Sequence, residues 1–137
     1  MTNLNNLNEA GVALQGYDPV SYFSGQPIQG KAEISTIDEG AIYYFSNETN
    51  KATFQAAPQR YKPQYGGFCA VAISEGKTFP IDPNTYRITD SKLYLFYNGK
   101  LGNTKLQWDA DPRARQQNAD ARWQDGSLAV VYPMVEY

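Results

Sequence analysis

Cys69 is the only thiol in a chain of 137 residues that contains no histidine. It lies just past Gly66-Gly67, near the start of a predicted helix whose dipole would stabilise a thiolate. That placement suits a nucleophile or a redox sensor. Against it, no imidazole can activate the sulfur and no second cysteine can resolve an oxidised one. A lone cysteine is more often a small buried hydrophobe, and that reading is favoured. Asp18, Asp82, Asp90, Asp109 and Asp111 each sit beside a turn or a proline, the usual setting of caps and Asx-turns. Tyr17, Tyr22, Tyr61, Tyr65, Phe68 and Trp108 could line a small-molecule pocket with apolar walls and a few hydroxyls. Equally they suit a core and its rim, the favoured reading. With Asp18 and Cys69 these six form the candidate ligand-binding set. No catalytic residue and no metal ligand is assigned.

The elements that must position these groups can be read in order. Residues 1–10 form a polar, Asn-rich arm, either loose or a short capping helix. Residues 11–14 read as a short strand. Asp18 followed by Pro19 is a cap-plus-proline start, so a short helix is expected from there to Gly25. Strands at 32–37 and 41–46 flank the turn Asp38-Glu39-Gly40 and make a hairpin. Ser46 and Asn47 are both good N-caps for a helix that Pro58 must end. Ser46, Asn50 and Phe54 share one side of it, which places two polar residues towards the buried face; Ser46 is read as the cap and Asn50 as bonded to nearby backbone. Pro58, Tyr61, Pro63 and Tyr65 stiffen a turn, and Gly66-Gly67 permits close backbone approach in the loop 61–68. A compact apolar helix follows and closes at Gly76. A second hairpin pairs 86–89 with 93–97 around Asp90-Ser91, though a type I′ turn prefers glycine where Ser91 stands. Helices are expected at 102–108 and from Asp111-Pro112 to Trp123. The apolar run 127–137 contains Pro133, which confines it to an edge strand or an extended strap, docked on its own body or paired with a second copy. No internal repeat is expected, and no low-complexity segment beyond the arm.

Composition narrows the class. Hydrophobic residues make up 42% and charged ones 19%, which argues for a folded domain over a disordered one. A net charge of −2 with scattered basic residues gives no nucleic-acid footprint. No apolar run reaches membrane-spanning length, so no membrane partner is expected. One cysteine allows no internal disulfide. The N-terminus lacks the basic and apolar regions of a signal peptide, so a cytoplasmic protein is expected, or an exported one in mature form.

Taken together, GYDPVSYF at 16–23, YYFSNETNKATFQAAPQRY at 43–61, PQYGGFCA at 63–70, SKLYLFYN at 91–98 and the spaced Trp108 and Trp123 resemble the small stand-alone proteins of the YHS-domain family. The resemblance covers residues 11–125. Metal-handling relatives of that family, the TRASH-like domains, carry cysteines at the positions that correspond to Ser21, Ser46 and Asn50. None is a cysteine here. Serine and asparagine oxygens do not replace thiolates for copper or zinc, so the resemblance implies the fold more than a metal role.

The expected fold is α+β: a small antiparallel sheet of two hairpins with short helices packed around it. A polar arm (1–10) and an apolar extension (127–137) flank a YHS-like domain at 11–126. The expected function is a non-enzymatic binding or accessory module with no cofactor. Its ligand or protein partner would sit near 61–69 and 16–23, and the extension at 127–137 would either dock on its own body or pair two copies as a homodimer. The alternatives are a copper- or zinc-binding sensor or chaperone, and an enzyme using Cys69 or a carboxylate.

Overall fold

The computed structural model describes residues 4–131. The fold is α+β, as expected, with antiparallel hairpins and short helices packed around them. Strands β1 (Lys31–Asp38) and β2 (Ala41–Phe45) form the first hairpin, β3 (Asp82–Thr89) and β4 (Lys92–Phe96) the second. Each hairpin stays a separate two-stranded sheet, and a third, minimal one pairs β5 (Asn98–Gly99) with β6 (Gly102–Asn103). The alternation of Ala41, Tyr43 and Phe45 buries one face of β2, while β4 is buried from Leu93 through Phe96.

Helix α1 (Glu48–Ala56) follows β2 after Ser46 and Asn47, and α2 (Pro58–Tyr61) follows α1 across the non-helical residue Ala57. Helix α3 (Ala70–Ser74) precedes the second hairpin. Helices α4 (Lys105–Ala110) and α5 (Pro112–Asp125) follow it. The predicted helix at 102–108 is therefore corrected at its start. Gly102 has φ +112°, a conformation no helix holds, and the chain makes the β5–β6 turn before the helix begins. Gly126, at φ 78°, ends α5 in the left-handed conformation favoured at helix ends.

The structure also corrects the expectation of no internal repeat. In the first hairpin Lys31 faces Phe45, three residues bulge out, and pairing resumes from Ser35–Tyr44 to Asp38–Ala41. In the second Asp82 faces Phe96, three residues bulge out, and pairing resumes from Tyr86–Leu95 to Thr89–Lys92. Every partner lies 51 positions from its counterpart. The same offset relates the segments before the hairpins. Leu14, Gln15 and Gly16 have φ of 57°, 53° and 86°; Tyr65, Gly66 and Gly67 have 57°, 61° and 81°. The Asp18 amide then donates to Ile28 O at 2.8 Å, and the Cys69 amide to Phe79 O at 3.1 Å.

Beyond the hairpins the correspondence continues at an offset of 54. Phe54 of α1 packs on Tyr43 and Phe45, at ring separations of 4.8 and 5.3 Å. Trp108 of α4 packs on Tyr94 and Phe96, at 5.1 and 5.4 Å. Each helix ends at a residue of matching geometry before a proline: Ala57 (φ −153°, ψ 69°) before Pro58, and Asp111 (φ −156°, ψ 72°) before Pro112. The chain thus contains one supersecondary unit twice. Between 14–47 and 65–98 only Gly16, Val20, Gly25, Ile37, Tyr43, Phe45 and Asn47 recur unchanged, too few to stand out by eye.

Two apolar clusters result, one per unit. The smaller gathers Val20, Tyr43, Phe45 and Phe54; the larger gathers Tyr65, Phe68, α3, β4 and Trp108. They are tied together by the first unit's own residues: Ala13 and Val20 enter the smaller cluster, whereas Leu14 and Tyr22 enter the larger. The arm docks on the second unit. Asn6 donates its amide to Gly66 O and its side-chain nitrogen to Gly67 O, and a Cβ at Gly66 would overlap the Leu4 carbonyl. Residues 127–131 run beside 76–78, where the Ala129 amide donates to Gly76 O and the Thr78 amide to Ala129 O. This part of the extension docks on its own body; residues 132–137 lie outside the described residues.

Candidate functional site

Asp18 is fully buried, and its carboxylate accepts five hydrogen bonds. Its position before Pro19 turns the chain, so Oδ1 takes the amides of Val20 and Ser21 at 2.9 and 3.3 Å. Oδ2 takes the Ser46 amide and hydroxyl at 2.9 and 2.8 Å and the Asn50 side-chain amide at 2.8 Å. Strand β2 delivers Ser46 at its end, and the first turn of α1 delivers Asn50. This corrects the capping assignment. Asn47 is the N-cap, accepting the Asn50 amide at 2.7 Å, and Ser46 is directed to the carboxylate instead. Ser21 closes the cluster, donating to the Asp18 carbonyl at 2.6 Å and accepting from the Ile28 amide at 2.9 Å. Ser21, Ser46 and Asn50 therefore meet around one residue.

Cys69 is the counterpart of Asp18 in the second unit and is equally enclosed. Its Sγ lies 3.3 Å from Thr104 Oγ1, and Thr104 is the counterpart of Asn50. Thr104 donates its hydroxyl proton to Tyr97 O at 2.9 Å, which leaves the thiol S–H to donate to Thr104. A thiol enclosed in this way has no open approach for a reaction partner and packs as a small buried side chain.

The aromatic candidates do not converge on one cavity. Tyr22 is buried with its hydroxyl donating to Pro83 O at 2.5 Å, and its pKa is raised, chiefly by burial. Tyr65 donates to Asp120 Oδ1 at 2.6 Å; burial, then that carboxylate, raises its pKa. Phe68 and Trp108 lie in the larger cluster. Tyr17 is half-buried, its hydroxyl accepting from Asn84 at 3.4 Å. Tyr61 is half-buried edge-on to Phe23, on the side of the smaller cluster. Asp111 caps α5 by accepting the Ala114 amide at 3.3 Å, the expected role for such an aspartate.

The open recesses lie elsewhere. A polar groove of about 470 Å³ runs over the outer side of β3, lined by Asn84, Thr85, Tyr86, Arg87, Ile88, Asn103 and Lys105. A smaller recess of about 220 Å³ adjoins it, lined by Gln15, Ile81, Asp82, Pro83 and Asn98. Between them Thr85 donates to Asp82 at 2.7 Å and accepts from Asn98 at 3.1 Å. None of the lining residues belongs to the sequence-derived candidate set. The groove joins a bulged strand to the β5–β6 turn, and no local motif marks that meeting.

Compared with known family models, curated proteins and solved structures, the chain matches none. Among the described residues no helix is long and apolar enough to cross a membrane, and no group of three or more His, Cys, Asp or Glu is placed to hold a metal ion.

Proposed function

We propose that this chain is a small, non-enzymatic binding or accessory module of the YHS type. The observation that carries this reading is where the reactive groups go. Asp18 and Cys69 are enclosed and hydrogen-bonded to the elements around them, so their chemistry serves the fold. The surface left open is a hydrogen-bonding groove on β3. The YHS assignment draws further support from Ser21, Ser46 and Asn50. The resemblance implies that these three positions share a site, and they gather around Asp18. Here that site acts as a clamp between the helical turn Val20–Ser24 and α1.

Native mass spectrometry of protein purified without chelators, with elemental analysis of the same sample, tests the reading. A non-covalently bound organic mass or a defined oligomer is expected. Copper or zinc near one per chain would overturn it in favour of a metal-handling protein, and a bare, metal-free monomer in every preparation would count against it.

A further inference from the structure

We propose that the β3 groove binds the carboxylate or phosphate group of a small polar ligand, with Arg87 and Lys105 as the anion contacts. The proposal rests on the binding-module reading and names the ligand class for it. Arg87 Nη2 lies 2.7 Å from Asp109 Oδ2, and Lys105 Nζ lies 3.7 Å from the same oxygen. Two cations thus share one carboxylate, and the cluster keeps a net positive charge. Nε and Nη1 of Arg87 have no partner among the described residues, and the side chain is 42% exposed. A guanidinium with donors left over from its ion pair can still give charge-assisted hydrogen bonds to an oxyanion. Asn84 and Asn103 add amides to the same wall. Asp82, on the lining of the adjoining recess, accepts from Thr85.

The internal repeat supplies an independent argument. In the first unit the position of Arg87 is Thr36, that of Asp109 is Gln55, and Gln55 donates to Thr36 at 3.2 Å. One contact is therefore neutral in the first unit and ionic in the second. The position of Asn84 is Glu33 in the first unit, so an acid is absent where a cation has been added. The first turn of α1 is replaced in the second unit by the β5–β6 turn, which contributes Asn103 to the groove. Thr36 to Arg87 adds a cation and Glu33 to Asn84 removes an acid; Gln55 to Asp109 adds an acid, and Lys51 is kept as Lys105, so the balance of these changes leaves the second-unit wall the more positive.

The test is a ¹H–¹⁵N titration of the full chain with inorganic phosphate and, separately, with citrate, at ionic strength held constant with sodium chloride. Saturable shifts confined to 84–88 and 103–105 are expected with at least one of the two. Whichever binds more tightly identifies the headgroup. The Arg87→Gln/Lys105→Gln double variant should raise Kd by about tenfold or more, the effect of losing charge-assisted hydrogen bonds. Lys51→Gln, at the first-unit counterpart of Lys105, should leave Kd unchanged. The variants' own spectra report whether they fold, and Lys105→Gln alone serves if the double variant does not. Shifts that fail to saturate, that spread over the surface, or that persist in the double variant would overturn the proposal. Such a failure leaves the module reading to its own mass-spectrometric test.

Discussion

Asp18 shows how a local reading can catch one part of a residue's bonding and miss the rest. Its place before Pro19 is legible as a cap, and it does bind the next amides. The three bonds that reach it from Ser46 and Asn50, 28 and 32 residues away, depend on tertiary placement and leave no local trace. Both carboxylate oxygens face donors only. In Asp18→Asn one orientation sets the amide N–H groups against Val20 and Ser21, the other against Ser46 and Asn50. Either strands buried donors, so a loss of about 2–4 kcal/mol is expected, read from the urea midpoint. Ser46→Ala, which removes one hydroxyl and keeps the backbone bond, should cost about 1 kcal/mol. An Asp18→Asn variant within about 0.5 kcal/mol of the parent would show that the cluster does not clamp the fold. Cys69 is the contrasting case, since its expected burial is what the structure has. Its alkylation in native buffer should proceed no faster than global or local opening, and should accelerate sharply in urea. Prompt labelling of the folded protein would restore the nucleophile reading.

At the scale of elements, periodicity and turn chemistry carried the reading a long way. The alternating, aromatic strands and their Asp/Glu/Gly/Ser turns mark both hairpins within a few residues, and Asn47, Pro58, Asp111 and Pro112 mark the helix ends. The β5–β6 turn escaped, because two-residue strands have no period to detect. Comparison of the two units settles the turn that composition left undecided. Glu39-Gly40 has φ of 48° and 84°, and Asp90-Ser91 has 53° and 62°, so both hairpins close through positive φ at both central residues. That is the type I′ arrangement, which suits the twist of the strands and favours glycine at the second position. The first hairpin has that glycine; the second holds Ser91 there, against the steric preference of an L side chain. Ser91→Gly should therefore stabilise the protein by roughly 0.5–1 kcal/mol, raising Tm by a few degrees without altering the far-UV spectrum. Gly40→Ser should cost a similar amount. If Ser91→Gly were neutral or destabilising, local hydrogen bonding of the serine would have to outweigh its backbone strain.

For the molecule as a whole, the question is whether two copies of one unit behave as two bodies or one. The repeat itself was hidden because its conserved content is geometric: bulge position, turn sign and the aromatic that follows each hairpin. What joins the units is visible only in three dimensions. Tyr22 belongs to the first unit, yet its ring lies edge-on to Tyr86 at 5.1 Å and its hydroxyl is bonded to Pro83. Alkaline pH tests this coupling. Burial raises the pKa of Tyr22, Tyr43, Tyr65 and Tyr94, the last to about 12. An unfolded tyrosine ionises near 10. Below that pH both states hold the protons, and these groups add no pH dependence. Above it the unfolded chain releases protons that the folded chain retains, so stability falls by up to about 1.4 kcal/mol per pH unit for each group, until the folded group itself titrates. Four such groups give a slope of about 5 kcal/mol per unit, comparable with the whole stability of a small domain. Unfolding is therefore expected between about pH 10 and 12, with circular dichroism and tyrosinate absorbance changing together. Tyr43 sits in the smaller cluster and the other three in the larger. A single coincident transition is the behaviour of one cooperative body held together by Tyr22; two separated steps, with one tyrosine released apart from three, would mean that the units unfold independently.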